Sequence, residues 1–213
     1  MTVRSVNVGL PREVLWHGRP VTTGIYKEPV GGRVALRTLN LDGDRQADLS
    51  VHGGAAKAVY CYASEHYPYW RNELGRGDLP YGMFGENFTT TGVDEDSVHI
   101  GDEFAIGTAA VVVTQPRMPC YKLGIRFGSD DMVKRFLASG RSGFYLAVIR
   151  EGQVGAGDPI ELVARHPAAV RVSDITRLYV TKRYGADEAT MVLRALSVEA
   201  LPDSWKEHLR KRL

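Results

Sequence analysis

Residues 115–123 read Gln115-Pro116-Arg117-Met118-Pro119-Cys120-Tyr121-Lys122-Leu123 and follow a β-rich apolar run that begins at Ala109. Pro119 fixes its own φ and biases Met118 towards an extended conformation, so the backbone that leads into Cys120 is constrained. A thiolate is a good ligand for a soft metal, and the flanking cations favour the thiolate form. The stretch therefore predicts a strand end that presents a sulfur to a cofactor. A buried, inert cysteine is the alternative.

Short β-rich segments punctuated by glycine fill the first two-thirds of the chain around this stretch. We predict strands at residues 3–8, 24–29, 34–41, 58–63, 87–91, 103–106, 109–114, 144–149 and 159–163. Many short strands at this spacing favour a barrel or sandwich over a doubly wound sheet. One helix is predicted from Ser64, as its cap, to Leu74, and a second from Ser129. The fold class is mainly β (α+β).

The pattern changes after about Val170, where apolar residues recur at helical spacing in three short stretches. The prediction is a β domain at residues 1–168 followed by a three-helix domain at residues 169–213. We expect this tail to pack on the barrel, or to form a homodimer contact through Trp205, Leu209 and Met191.

Composition narrows the class of protein. The hydrophobic content of 44% and charged content of 24% are typical of a globular chain. A formal charge of +2 gives no support for nucleic acid or an acidic membrane as partner. Two cysteines provide neither a disulfide framework nor zinc-ligand spacing, and Cys61 alternates with Val59 and Ala63 as a core strand residue would. With no signal peptide and no apolar stretch of membrane-spanning length, we expect a soluble, cytoplasmic protein.

Three further segments contain residues suited to binding. Residues 52–57 combine His52, the pair Gly53-Gly54 and Lys57, and such a glycine pair lets backbone amides approach an anion, although it more often marks a plain turn. Residues 81–92 contain two glycines, then Glu86, Asn87 and Phe88. This segment either presents polar groups to a heterocycle or forms a solvated turn. Arg141 stands between glycines before a strand, where its planar fork can grip a phosphate or lie free in a loop.

Taken in order, these segments resemble the MOSC domain family, related to the C-terminal domain of molybdenum cofactor sulfurases, and most closely its YiiM-type members. The likeness covers roughly residues 1–165, and the tail resembles the three-helix domain of YiiM-type proteins. It is carried by the following motifs: Gly43-Asp44, Gln46-Ala47-Asp48, His52-Gly53-Gly54, Lys57-Ala58-Val59-Tyr60, Gly85-Glu86-Asn87-Phe88, Ile100-Gly101-Asp102, Gln115-Pro116-Arg117, Pro119-Cys120 and Gly143-Phe144-Tyr145.

The resemblance implies a MOSC-type β-barrel that binds the molybdenum cofactor, with Cys120 as the metal ligand. By the same resemblance, the candidates for anion and pterin contacts are His52, Gly53, Gly54, Lys57, Asn87, Phe88, Arg117 and Arg141. It also implies reduction of N-hydroxylated compounds (N-hydroxylaminopurine-like, amidoxime or hydroxamate) by N–O bond cleavage. Cys120, His52 and Glu86 would then be the catalytic residues, with Asp48 as a further candidate proton relay.

One partner and two alternative functions complete the predictions. Because no flavin or haem motif is visible, electrons would come from a separate NAD(P)H-dependent flavoprotein reductase. One alternative is a carrier that transfers molybdenum cofactor or sulfur. Another is a DNA- or protein-binding module built on the tail, where nine Lys/Arg face six Asp/Glu from residue 171 onward. That small excess is weaker than the basic footprint of a typical DNA-reading helix.

Overall fold

The computed structural model describes residues 1–47 and 53–213 as a mixed α+β fold built on one large sheet. The sheet has 8 strands in the order β12-β8-β9-β10-β6-β7-β1-β4, and two small two-stranded sheets, β11-β5 and β2-β3, flank it. The strands are β1 Thr2–Val8, β2 Arg12–Trp16, β3 Arg19–Thr23, β4 Glu28–Pro29, β5 Arg33–Leu36, β6 Val59–Ala63, β7 Phe88–Thr91, β8 Glu103–Ile106, β9 Ala109–Pro116, β10 Phe144–Arg150, β11 Gly152–Gly155 and β12 Ile160–Ala164.

The helices are α1 His66–Leu74, α2 Tyr121–Phe127, α3 Met132–Ser139, α4 Val172–Val180, α5 Ala186–Leu196 and α6 Asp203–Arg210, with a 3₁₀ turn at Ala55–Lys57. The first three end at Gly75, Gly128 and Gly140, whose positive φ closes each helix in the left-handed conformation that glycine adopts at low cost. No helix in the described part of the chain is long and apolar enough to cross a membrane.

The two ends of the large sheet approach each other without a continuous strand ladder. Val3 N donates to Asp158 O at 2.9 Å, Gly157 N to Val3 O at 2.8 Å and Ile160 N to Met1 O at 2.9 Å. An isolated antiparallel bridge joins Thr2 and Pro159 at the same place. The described strands therefore form an 8-stranded ladder in which β1 also bonds to the segment that leads into β12, and closure into the expected MOSC-type barrel stays a prediction.

Strand β6 separates two cores because it is buried on both faces. Val59 and Cys61 point into the main core inside the sheet, which confirms Cys61 as a core residue. Tyr60 and Tyr62 point to the other face, into an aromatic cluster with Trp70, Phe84 and Phe136 under α1 and α3. The β6–β7 pairing is parallel, and the other strand pairs described are antiparallel.

The three-helix tail belongs to the main core. Val172, Ile175, Val192, Trp205 and Leu209 join the same cluster of buried residues as the sheet interior. Among the described residues, the tail therefore packs on the sheet of its own chain, as one of the two arrangements expected from the sequence.

Four local predictions are wrong. The strand predicted at 24–29 shrinks to Glu28–Pro29, and the strand predicted at 34–41 ends at Leu36. The hairpin β2–β3 and the helix α2 were not predicted. Ser64 does not cap α1, because its Oγ bonds the side chains of Glu65 and Thr91, and the helix begins at His66. The second predicted helix begins at Met132, after Asp131, because Ser129 and Asp130 form the turn between α2 and α3.

Candidate functional site

A cleft of about 100 Å³ lies where the end of β9, the 3₁₀ turn and the loop before β4 converge. Four cations and one carboxylate line it in the described part of the chain, so its charge favours an anionic ligand. The lining comprises Thr23, Gly24, Ile25, Lys27, Asp44, Gln46, Ala47, Lys57, Tyr60, Gly85, Asn87, Arg117, Met118, Cys120, Lys122 and Tyr145.

Arg117 is a buried cation of this cleft. Its side chain is only 6% exposed, and its guanidinium carbon lies 5.2 Å from the ring centre of Tyr60 and 5.1 Å from that of Phe136. The Nη1 atom is buried and has no hydrogen-bond partner among the described residues. A buried polar group without a partner is costly, and it is the usual mark of a site completed by a ligand or water.

Cys120 stands at the junction between β9 and α2. It is the N-cap residue of α2 in an extended conformation, and it is half-buried while Cys61 is 1% exposed. The loop enters it from Pro116, which pairs with Phe144 of β10, and Arg117 N donates to Gly143 O at 3.3 Å. The predicted strand end before Cys120 is confirmed, with a helix beginning directly after it, and the presentation of its sulfur to a cofactor stays a prediction.

Lys27 and Asp44 form a buried ion pair in the cleft wall, between Lys27 Nζ and Asp44 Oδ1. Asp44 Oδ1 also accepts from Gly9 N at 2.9 Å, and Asp44 Oδ2 accepts from Asn87 Nδ2 at 2.9 Å. Burial lowers the pKa of Lys27, and the neighbouring Asp44 carboxylate offsets part of that shift. This network leaves Lys27 as an ammonium that can lose a proton more readily than an exposed lysine.

Two phenols line the cleft beside Arg117. Tyr60 Oη donates to Ser142 O at 2.8 Å, and the rings of Tyr60 and Tyr145 lie 5.3 Å apart. Burial raises the pKa of both hydroxyls, although the Arg117 cation opposes part of the shift. Both therefore stay protonated at neutral pH and act as neutral neighbours of the cleft.

The structure brings four of the sequence-predicted site residues together: Lys57, Asn87, Arg117 and Cys120 all line the cleft. Burial lowers the pKa of Lys57. Gly54 precedes the 3₁₀ turn with φ of 94°, and its carbonyl accepts from Lys57 N at 2.9 Å. Gly53 and Gly54 therefore lead into the turn that carries Lys57 and are not part of the lining. His52 and Asp48 lie outside the described residues.

Glu86 is close to the cleft in sequence but faces away from it. Its Oε1 accepts from Tyr67 Oη, from Gly82 N at 2.8 Å and from Thr89 Oγ1 at 2.8 Å, and its Oε2 accepts from Phe84 N at 3.0 Å. The side chain is fully buried and is not among the lining residues. Burial raises the pKa of Glu86, and the donors offset part of the shift. In this conformation Glu86 braces the loop before β7.

Phe88 and Arg141 are also apart from the cleft. Phe88 is fully buried in the main core. Arg141 stacks on the ring of Tyr69 at 3.8 Å and lines a separate, open groove of about 590 Å³ beside α3 and α4. That groove carries four acidic side chains against two arginines and no cysteine in the described residues, so its charge does not favour a phosphate.

Lys27 was not among the predicted site residues, because it lies outside every quoted motif. Tyr145 lies within a quoted motif but was not predicted as a site residue, and Lys122 was considered only as a cation that flanks Cys120. In the described part of the chain, no group of three or more His, Cys, Asp or Glu side chains is arranged to hold a metal ion. Cys120 is thus the one sequence-predicted metal ligand that the structure locates in the cleft.

Comparison with known proteins covers almost the entire chain. Residues 48–161 match the family model described as MOSC domain, and residues 172–213 match the model described as YiiM-like, 3-alpha helix domain. The chain is 40% identical to the protein YflK of Bacillus subtilis (strain 168), over 99% of this chain and 94% of that protein.

A solved structure and a fungal protein extend the likeness. The crystal structure of YiiM from Geobacillus stearothermophilus superposes with a TM-score of 0.82 at 37% identity, over 100% of this chain and 98% of the other. A protein of Gibberella moniliformis (strain M3125 / FGSC 7600) named "Reductase" is 32% identical over 91% of this chain, which corresponds to 35% of that protein.

Proposed function

This chain belongs to the MOSC domain family and ends in a YiiM-like three-helix domain, and we propose that it is a molybdenum-cofactor-dependent reductase of N-hydroxylated compounds. The observation that carries the proposal is the buried guanidinium of Arg117, whose Nη1 has no partner among the described residues, in one cleft with the Cys120 thiol. The reductase class is further supported by the name of the fungal relative.

The residues present fit a phosphorylated, sulfur-rich metal cofactor. Such a group needs cations and amide donors for its phosphate and a soft ligand for its metal. Arg117, Lys57 and Lys122 supply positive charge to the cleft, and Cys120 supplies the sulfur. Arg117 is the strongest of these contacts, because a guanidinium already removed from water loses little further solvation when an anion binds.

The bound cofactor would supply the two-electron redox chemistry, and the chain would supply ligation, orientation and protons. Reduction of a hydroxylamine to an amine and water consumes two electrons and two protons and breaks the N–O bond. Electrons would come from a separate NAD(P)H-dependent flavoprotein reductase. The two protons must reach the cleft through the groups that line it.

Lys27 is the proton donor that the described geometry favours. Its ammonium lies in the cleft wall against Asp44, its pKa is lowered by burial, and Asn87 orients the carboxylate. A proton leaving Lys27 Nζ would reach the departing hydroxyl oxygen, and Asp44 would hold the neutral amine in place. Glu86 is less suited to this role, because its two oxygens already accept four hydrogen bonds behind the wall.

Molybdenum content tests the proposal. The full chain and a Cys120→Ala variant would be expressed in a cofactor-competent host and compared by elemental analysis, with Cys61→Ala as the matched control. We expect near-stoichiometric metal in the wild type and in the control, and its loss in Cys120→Ala. With a chemical reductant as the electron source, we expect only the proteins that contain metal to reduce a benzamidoxime or a hydroxylaminopurine.

Other outcomes would favour the alternatives. Metal bound without reduction of any N-hydroxylated compound would favour a carrier of cofactor or sulfur. The absence of metal from all three proteins, with a folded chain, would contradict the proposal. Salt-dependent binding to duplex DNA in the same preparations would instead favour a binding module.

A further inference from the structure

One side chain of α6 forms a hydrogen bond with the strand that leads into the cleft. Trp205 is 8% exposed, and its indole Nε1 donates to Gln115 Oε1 at 2.7 Å across 90 residues of sequence. We propose that Trp205 is a positioning residue, through which the tail fixes the loop of Cys120 and the turn of Lys57 relative to each other. The role does not depend on which group the cleft binds.

Gln115 joins the two walls that must be aligned. It lies two residues before Arg117, and its Cα pairs with that of Tyr145 across β9 and β10. Its Nε2 donates to Ala56 O at 3.3 Å, in the 3₁₀ turn that presents Lys57. Thr114 Oγ1 donates to the same carbonyl oxygen at 2.7 Å. The side chain amide thus connects the start of the cysteine loop to the opposite turn.

The indole fixes which way this amide points. Gln115 is 3% exposed, and an amide side chain has chemically distinct ends that need a donor on one side and an acceptor on the other. Trp205 supplies the donor and Ala56 O the acceptor, so a flipped amide would lose both bonds. The tail therefore determines an orientation that the strand β9 alone leaves open.

The ring of Trp205 is itself held within the tail. It contacts Tyr179 of α4 edge-on, with ring centres 5.7 Å apart, and lies 6.3 Å from the ring of His208. These contacts hold the indole in the orientation that its hydrogen bond to Gln115 requires. This gives the tail a defined effect on the cleft without any tail residue among the described lining.

The test uses the full chain without cofactor and measures the rate at which iodoacetamide alkylates Cys120, at several pH values so that rate plateaus are compared. Cys61 is buried, and Cys120→Ser defines the background. Trp205→Phe keeps an aromatic ring but removes the N–H. We expect the plateau rate of Trp205→Phe to be about tenfold higher than that of the wild type, because a rate factor of that size corresponds to the free energy of one buried hydrogen bond. Gln115→Ala should match it, and the double variant should be no faster than either.

Leu209→Ala is the matched control, because it removes buried packing from the same helix and leaves the indole bond intact. Its plateau should equal that of the wild type under conditions where every variant is folded. An equal acceleration in Leu209→Ala, or no acceleration in Trp205→Phe, would overturn the proposal.

A reciprocal measurement on the wild type does not require any tail variant to fold. Alkylation of Cys120 should shift the indole N–H resonance of Trp205, since coupling between two sites acts in both directions. The indole of Trp70, which donates to Tyr62 Oη at 2.6 Å in the aromatic cluster, is the internal reference. A Trp205 signal that moves no more than that of Trp70 would contradict the positioning role.

Discussion

Replacing Glu86 should destabilise the fold, because this carboxylate accepts four hydrogen bonds in a fully buried position. In Glu86→Ala, the amides of Gly82 and Phe84 lose their acceptor, and so do the hydroxyls of Tyr67 and Thr89. Each buried donor left unsatisfied costs roughly 1–3 kcal/mol. Because the hydroxyls can rotate towards other acceptors and the two amides cannot, we expect a loss of about 4 kcal/mol in unfolding free energy.

Glu86→Gln separates the hydrogen bonds from the charge. The amide oxygen can occupy the position of Oε1, where three donors converge, and the NH₂ group then faces Phe84 N. Phe84 N then loses its acceptor and faces a second donor, so we expect the unfolding free energy to fall by about 2 kcal/mol.

The pH dependence gives the second signature of Glu86. Because burial raises the pKa of Glu86 above its usual value of 4.5, the folded chain binds a proton more readily than the unfolded chain. The stability that this proton binding adds is therefore fully present below pH 4.5 and is lost as the pH rises through the folded pKa, while the hydrogen bonds to the carboxylate remain. Glu86→Gln should lack this decline.

Urea denaturation of the three proteins at several pH values measures both effects. The matched control is Glu151→Gln, an exposed carboxylate that also accepts from a backbone amide, Thr38 N at 2.8 Å, and we expect no comparable loss there. Wild-type stability and pH profile in Glu86→Gln, together with lost turnover, would refute the bracing role and restore Glu86 as a proton relay.

Three further changes have expected outcomes. Lys27→Met leaves the buried Asp44 carboxylate without its cation and should cost roughly 3 kcal/mol by urea denaturation, with partial recovery on adding Asp44→Asn; additive losses would argue against the pair. Arg117→Met removes a buried, partly unpartnered cation and should stabilise the chain by about 1 kcal/mol while abolishing bound molybdenum, and destabilisation with full metal would contradict a ligand site. Gly82→Ala adds a Cβ 2.6 Å from Lys27 O at φ of 85° and should lower the melting temperature, whereas an unchanged melting temperature would refute the strain.

Local patterns identified the elements whose periodicity is strong. Strand β8 was predicted with its observed ends, and β1, β6, β9 and β10 within two residues, because β-branched and apolar residues alternate there. The three tail helices were likewise visible from apolar spacing. The hairpin β2–β3 was missed because its strands are exposed and carry little alternation. Helix α2 was missed because it is short and begins at the cysteine loop.

The residues of the candidate site were also predicted only in part from the sequence. Lys57, Asn87, Arg117 and Cys120 were named from sequence motifs and lie in one cleft. Arg141 and Phe88 came from motifs of similar appearance but lie elsewhere, because a motif does not state which face of the sheet its side chains take. Lys27 belongs to the cleft although nothing in its local sequence indicates a site.

The amino-acid sequence by itself determined the family, the strand and tail-helix pattern and the loop that holds Cys120, since these depend on neighbouring residues and on ordered motifs. Only the tertiary structure decided that Asp44 pairs with Lys27, that Glu86 turns away from the cleft and that Trp205 contacts Gln115. Each of these contacts joins different elements of the fold. Burial and hydrogen-bond satisfaction, which depend on the packing of the whole chain, determine them.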